Sequence, residues 1–287
     1  MNLRDGGDIT IAERIRSEMH RFTPTERKAA QVLLANYPVA GLETVAEFAG
    51  RAGVSAPTVL RFVARLDFGG YPDFQRALRE ELDKQSQSPL VKARYAHQPD
   101  GEGPYEKFRD VLVENVVETF RHLPEAEFDA LVETLTDRRR RVHLIGGRFT
   151  DALALHMSAH LRVIRAGVSH LTGQPSNWRD QMIDMGPRDV LVVFDIRRYQ
   201  DDLLTLSEAV NRRGVTVVLF TDQWLSPIAR FARHVVAARV LATSRWDSLT
   251  AMLGIVEAVL AAATERTWDE ASRRIAAIDA LKSGNRS

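Results

Sequence analysis

Apolar positions in the first third of this chain recur at helical spacing; further on they condense into short runs separated by more helical stretches. Residues 9–22 and 24–36 read as two amphipathic helices. The second is opened by Thr23-Pro24-Thr25-Glu26, which has capping-box spacing and Pro at the first helical position. Pro38 helps to end it. Residues 45–66 predict two more helices around a tight corner. Ala49 is small enough for close crossing, Gly53 takes the positive φ that ends the first helix, and Val54 plugs the corner. Ser55 then stands as N-cap and Pro57 in the first turn, followed by an apolar stripe of Val59, Phe62, Val63 and Leu66. A turn at 67–74 leads into a helix to about Lys84, so residues 1–85 are expected to form a compact five-helix domain.

Residues 86–104 are rich in Ser, Gln, Gly and Pro and read as a linker. Helices are expected at 105–121 and 125–138, then apolar runs at 142–145, 168–172, 190–196, 215–221 and 234–238. Helical stretches start near Thr150, Ser176, Gln200 and Ser226, and two more from about Trp246 and Trp268. Strands that are apolar throughout and separated by helices imply a five-stranded parallel sheet covered on both faces, so residues 105–287 are expected to be an α/β domain.

Composition narrows the chemistry. With 287 residues, 45% hydrophobic and 27% charged, the chain has the balance of a soluble two-domain protein. It contains no Cys, which excludes disulfides, zinc-thiolate sites and a cysteine nucleophile. Neither the N-terminus nor the apolar stretch at 251–263, interrupted by Glu257, has the character of an export or spanning segment, so a cytoplasmic location without membrane contact is expected. The net charge of +1 does not advertise a polyanionic partner, and residues 1–85 are themselves balanced. Residues 51–66, however, carry three Arg and no carboxylate.

That local charge gives the corner helix a candidate DNA-reading face of Ser55, Thr58, Arg61 and Arg65. The plainer alternative is an ordinary helical hairpin with a solvated face. In an open parallel sheet, ligands sit beyond the carboxyl ends of the strands. The loops there offer Arg148 and Thr150, then Asp195, Arg197, Arg198 and Tyr199, then Thr221 and Ser226, chemistry suited to a phosphate or carboxylate. Alternatively, Arg197 and Arg198 pair with Asp195, Asp201 and Asp202 in a solvated loop. His156 and His160 have metal-ligand spacing without further ligands, so no metal is expected; Arg138 to Arg141 read as a solvated helix end. Trp178, Trp224 and Trp246 are candidates to line a pocket, with core or interface packing the plainer expectation for each.

The stretches TPTERKAAQVLL and GVSAPTVLRFVARLDFGGYPDFQRAL resemble the RpiR (MurR/RpiR) family of bacterial transcriptional regulators, over about residues 10–265. Thr58, Arg61 and Phe62 match its T-V-x-R-F signature, and Phe68, Gly70, Tyr71 and Phe74 its G-F-x-G-Y-x-x-F turn. Ala64, Asp67 and Gly69 depart from it. The resemblance implies a helix-turn-helix domain followed by a SIS (sugar isomerase) domain that binds phosphosugars and tunes DNA binding. At the sugar-phosphate site the chain departs further. Gly146 to Thr150 replace G-x-G-x-S, and Asp195 to Gln200 replace S-x-S-G-x-T, while Thr221 and Ser226-Pro227 keep the later element. The hydroxyl cradle is thereby lost. The implied protein is a transcriptional regulator in carbohydrate metabolism that acts on a double-stranded operator as a homodimer or tetramer. It needs no cofactor and responds to a small anionic metabolite, a phosphosugar or carboxylate. An SIS-type phosphosugar isomerase with an accessory helical domain is the alternative, and a SIS domain that only dimerises is a third reading.

Overall fold

The structure, a computed structural model, describes residues 9–86 and 103–283. Most of the expected linker lies outside the described residues. The N-terminal part comprises α1 (Ile11–Glu18) with a 3-10 turn (Met19–Arg21), α2 (Pro24–Ala35), the short α3 (Val39–Leu42), α4 (Val45–Ala52), α5 (Ala56–Arg65) and α6 (Tyr71–Ser86). Capping boxes open α1, α2 and α4: Thr10 with Glu13, Thr23 with Glu26, and Thr44 with Glu47. Each satisfies N–H groups that a helix start leaves orphaned. Gly53 ends α4 at φ 61°, the left-handed conformation a side chain would strain. Ser55 sits at the N-cap of α5 but accepts no backbone N–H there. Phe22 meets Phe62 edge-on at 5.3 Å inside a core that also holds Leu33, Phe48, Leu66, Phe74 and Leu78.

The second part runs α7 (Pro104–Arg121), α8 (Glu125–Thr136), β1 (Arg141–Gly146), α9 (Asp151–Ile164), β2 (Val168–His170), α10 (Pro175–Met182), β3 (Asp189–Asp195), α11 (Asp201–Arg212), β4 (Thr216–Asp222), a 3-10 turn (Pro227–Arg230), β5 (His234–Ala238), α12 (Thr250–Arg266) and α13 (Trp268–Ser283). The sheet is parallel, in the order β2-β1-β3-β4-β5. Alternate residues of a strand face opposite sides. Val190, Val192 and Phe194 accordingly pack with α8, α9 and α12, while Leu191 and Val193 pack with α10 and α11. This two-sided burial explains the uninterrupted apolar runs.

The N-terminal part holds six α-helices among the described residues rather than five, because the short α3 follows Pro38, and two helices of the second part also differ from expectation. The one near Ser226 is a single 3-10 turn, because β5 begins at His234 and leaves no room for a longer helix. The one expected from Trp246 begins at Thr250, because Asp247 is engaged in an ion pair with Arg197.

The two parts share a contact along edge strand β5. Leu225 joins the helical core, and Ala229, Val235 and Ala237 pack against it, so the edge is covered rather than left open. Beside this seam, Arg239 Nε donates to Glu13 Oε1 at 2.8 Å, and both residues are buried. Glu13 also closes the α1 capping box, accepting the Thr10 N–H at 2.8 Å. Glu81 of α6 accepts from Tyr37 Oη and from the Ile11 N–H. Burial pushes its carboxyl up to about 7 against those two hydrogen bonds.

Two outcomes follow. Glu13→Ala strips the carboxylate from a buried guanidinium and costs about 3–5 kcal/mol in urea unfolding, whereas Glu13→Leu with Arg239→Met recovers much of that loss. Glu81 keeps its proton in the folded chain up to about pH 7, while an unfolded Glu releases it near pH 4.3. Its contribution is present at low pH and is lost as pH rises through about 7, so the urea midpoint falls between pH 5 and pH 8. Glu81→Gln flattens part of that slope.

Candidate functional site

Helix α5 buries Val59, Phe62 and Val63 and turns Pro57, Leu60, Arg61 and Ala64 outward. Thr58, expected on the outward face, is buried, because its hydroxyl lies inside a short chain of hydrogen bonds. Ser55 Oγ and Thr58 Oγ1 are 2.9 Å apart, and Arg61 Nη2 donates to Thr58 Oγ1 at 3.1 Å. Thr58 therefore braces Arg61 instead of facing outward itself. Arg65 is drawn sideways: its Nε donates to Glu26 Oε1 at 3.1 Å and its Nη1 to the Arg21 carbonyl at 3.3 Å. Burial pushes the Glu26 carboxyl up, but hydrogen bonds from Thr23 and Arg65 hold it below its ordinary value. Arg65 thus ties α5 to α2 while Arg61 projects. The Arg138 to Arg141 run is engaged in ion pairs with Glu270, Asp137 and Asp189, away from this face.

The second candidate site lies where the strand order reverses. The loop after β1 leads into α9 on one face of the sheet and the loop after β3 into α11 on the other, which opens a crevice between them. A cavity of about 260 Å³ occupies it, lined by Gly147, Arg148, Phe149, Thr150, Asp195, Ile196, Arg197, Arg198 and Gln200. Close backbone approach requires glycine at position 146, where a Cβ would lie 2.5 Å from Asp151 Cα; at Gly147 a Cβ would meet only the end of the Gln200 side chain.

Several backbone donors of this crevice already have acceptors within the protein. Gly147 N–H is shared between Thr150 Oγ1 at 2.8 Å and the Phe194 carbonyl at 3.0 Å. Arg148 N–H donates to Gln200 Oε1 at 2.6 Å, and Gln200 N–H to Asp195 Oδ1 at 3.3 Å. Ser226 Oγ donates to Asp195 Oδ2 at 2.6 Å. Below that layer, Asp222 accepts from the Arg197 N–H, from Tyr199 Oη at 2.8 Å and from the Trp224 N–H at 2.9 Å. Burial pushes the Asp195 carboxyl up to about 7 against the bonds from Ser226 and Gln200, with added repulsion from Asp222. Burial likewise pushes Asp222 up to about 6 against its donors.

Of the residues expected at the effector site, Arg148, Thr150, Asp195, Arg197 and Arg198 line the cavity. Tyr199, Thr221 and Ser226 lie beneath it, in the hydrogen-bond layer; Thr221 Oγ1 accepts the Ser226 N–H at 3.0 Å. Arg197 does not present its guanidinium to the crevice and does not pair with Asp195, Asp201 or Asp202. It is buried, donating to Asp247 Oδ2 at 2.7 Å and to the Lys84 carbonyl of α6 at 3.1 Å, over the Trp224 ring. Arg148 and Arg198 are exposed and, among the described residues, have no ion-pair partner. Sequence reasoning missed Gln200 and Asp222 as site groups. Both were visible as polar residues in the strand-end loops, but nothing local showed that one plugs the cradle and the other supports its floor. His156 and His160 lie with ring centroids 4.6 Å apart, and among the described residues no third His, Cys, Asp or Glu joins them in a metal-holding group. Among the described residues, no helix is long and apolar enough to cross a membrane.

Known proteins match both halves. The sequence profile of the rpiR-family helix-turn-helix domain matches residues 9–85, and that of the SIS domain residues 134–262. The HTH-type transcriptional regulator HexR of Escherichia coli (strain K12) is 29% identical over 235 residues, covering 78% of this chain and 76% of that protein. The sugar isomerase domain of an RpiR transcription factor from Sphaerobacter thermophilus superposes with a TM-score of 0.57 at 23% identity, covering 61% of this chain and 97% of that one. The Vibrio vulnificus NanR protein, solved in complex with ManNAc-6P, gives a TM-score of 0.51 at 16% identity over 94% of this chain and 97% of its own. At such identities the two structures show a shared fold alone. An rpiR-type helix-turn-helix domain followed by a SIS domain, each matched by its own profile, places this chain in the RpiR family.

Proposed function

We propose that this protein is a DNA-binding transcriptional regulator, not an isomerase, whose SIS half senses a small anionic metabolite. The observation that carries the reading is the free face of α5, where Arg61 projects from a helix packed on its other side and is braced by Thr58. A held guanidinium can make two hydrogen bonds to a guanine edge in the major groove with little entropy left to lose. Two copies related by a two-fold axis would present two such helices about 34–36 Å apart, or a multiple of that, on a palindromic operator. Val113, Val117 and Phe120 of α7 are exposed, an apolar surface that supports association of copies into a dimer or tetramer.

For the effector, the rim supplies the attraction and the floor the selectivity. Arg148 and Arg198, exposed and without an ion-pair partner among the described residues, offer guanidinium groups to a phosphate or carboxylate, while Asp195 and Gln200 line the crevice between them as polar groups. The NanR protein of Vibrio vulnificus, which shares this fold, is solved in complex with ManNAc-6P, a phosphosugar, which supports the same ligand class here. The crevice touches the DNA-binding half directly. Arg197 donates to the Lys84 carbonyl, and Tyr199 bonds with Gln85, both in α6. A ligand that favours one arrangement of this loop would therefore act on α6, with a coupling of about 1–3 kcal/mol typical of such regulators.

Arg61→Ala is expected to weaken operator binding by about 1–3 kcal/mol and to relax base preference at one position, measured by fluorescence anisotropy on wild-type and single-base-changed duplexes; unchanged preference would confine Arg61 to phosphate contact. In a thermal-shift panel of sugar phosphates and sugar acids, the effector at 100 times its Kd stabilises the fold by about 2.7 kcal/mol. Arg148→Ala and Arg198→Ala each diminish that shift without altering DNA binding. Silence across the whole panel would leave the SIS half a dimerising module.

A further inference from the structure

We infer that Leu60, flanked by Pro57 and Ala64, reads the C5-methyl group of thymine in the operator, beside the base pair that Arg61 contacts. The inference rests on the DNA-binding reading above. On a helix, residues three and four apart are neighbours; Pro57, Leu60, Arg61 and Ala64 therefore form one contiguous patch. With Thr58 turned inward and Arg65 tied to Glu26, this patch is the centre of the free face. Three of its four side chains are apolar, and Leu60 is 47% exposed. A single exposed Leu is unremarkable on a protein surface. Here it stands one residue from the braced arginine, on a helix that lies within the residues matched by the rpiR-type helix-turn-helix domain. The major-groove edges of the base pairs offer hydrogen-bonding groups and one apolar group, the thymine methyl. An apolar patch in that groove gains free energy only where it covers such a methyl, and it leaves base donors and acceptors unpaired elsewhere. The patch thus specifies thymine by contact and disfavours bases that need a polar partner.

The test uses the full-length chain and a duplex enriched from a random-sequence pool by repeated binding to it. Footprinting locates the half-sites, and each thymine within them is replaced in turn by uracil, which removes the methyl and nothing else. At one or two positions the wild-type chain is expected to lose about fourfold in affinity per methyl. Leu60→Ala should bind the thymine duplex about as weakly as the wild type binds the uracil duplex, and lose nothing more on the exchange. Leu60→Met, which keeps apolar reach, should retain sensitivity to the methyl. The inference is overturned if uracil at every position leaves wild-type binding unchanged, if Leu60→Ala keeps the full uracil penalty, or if the half-sites contain no thymine. A pool that yields no enriched duplex overturns the DNA-binding reading along with it.

Discussion

A buried ion pair between Glu13 and Arg239 holds the two halves of this protein in register. A guanidinium withdrawn from water needs its carboxylate, so the seam cannot shift without rehydrating both groups or stranding one of them. Glu13 also closes the capping box of α1, so the start of the first helix and the end of the edge strand share one side chain. From there the contacts run along α6. Ile11 at the head of α1 donates to Glu81, and Arg197 of the ligand-side loop donates to the carbonyl of Lys84, three residues further on. The crevice and the DNA-binding half thus meet on a single helix. A metabolite controls DNA affinity only if it binds two arrangements unequally, and on the reading proposed above the loop anchored in α6 is where it would do so.

The crevice itself follows from the order of the strands, but its chemistry departs from that of an open anion site. Helix starts at the carboxyl end of a parallel sheet ordinarily present unpaired N–H groups to a phosphate. Here Thr150, Gln200 and Asp195 take up the N–H groups of Gly147, Arg148 and Gln200 from within the protein. The attraction left for an anion comes from the side chains of Arg148 and Arg198 at the rim. Burial, with a smaller repulsion from Asp222, pushes the Asp195 carboxyl up to about 7, so this floor offers no positive charge to a deeply placed anion.

The same economy of partners shapes the recognition helix. Thr58 gives up exposure to steady Arg61, and Glu26 takes Arg65 away from the free face. What remains outward is the braced guanidinium of Arg61 among small and apolar groups, with the half-exposed Arg65 held to one side by Glu26. Such a face depends less on overall charge than on shape and a few directed contacts, in keeping with a chain whose net charge is only +1.

The sequence by itself determined the local elements. Helical spacing, capping pairs such as Thr23 with Glu26, the glycine at position 53 and the five apolar runs all act within a few residues, where backbone hydrogen bonding and burial leave little choice. It also determined that the strand-to-helix loops gather at the carboxyl end of the sheet, because the connections between parallel strands share one hand. The order of the strands, and with it the place of the crevice, was decided by the tertiary structure. Tertiary structure alone decided which partner each charged or polar side chain takes. Arg197 found Asp247, 50 residues away, rather than the acids beside it; Arg65 found Glu26, 39 residues away; and Gln200 reached Arg148 across the crevice, 52 residues away. A long polar side chain can satisfy itself on any acceptor within reach, and only the completed packing settles which acceptors are near and shielded from water.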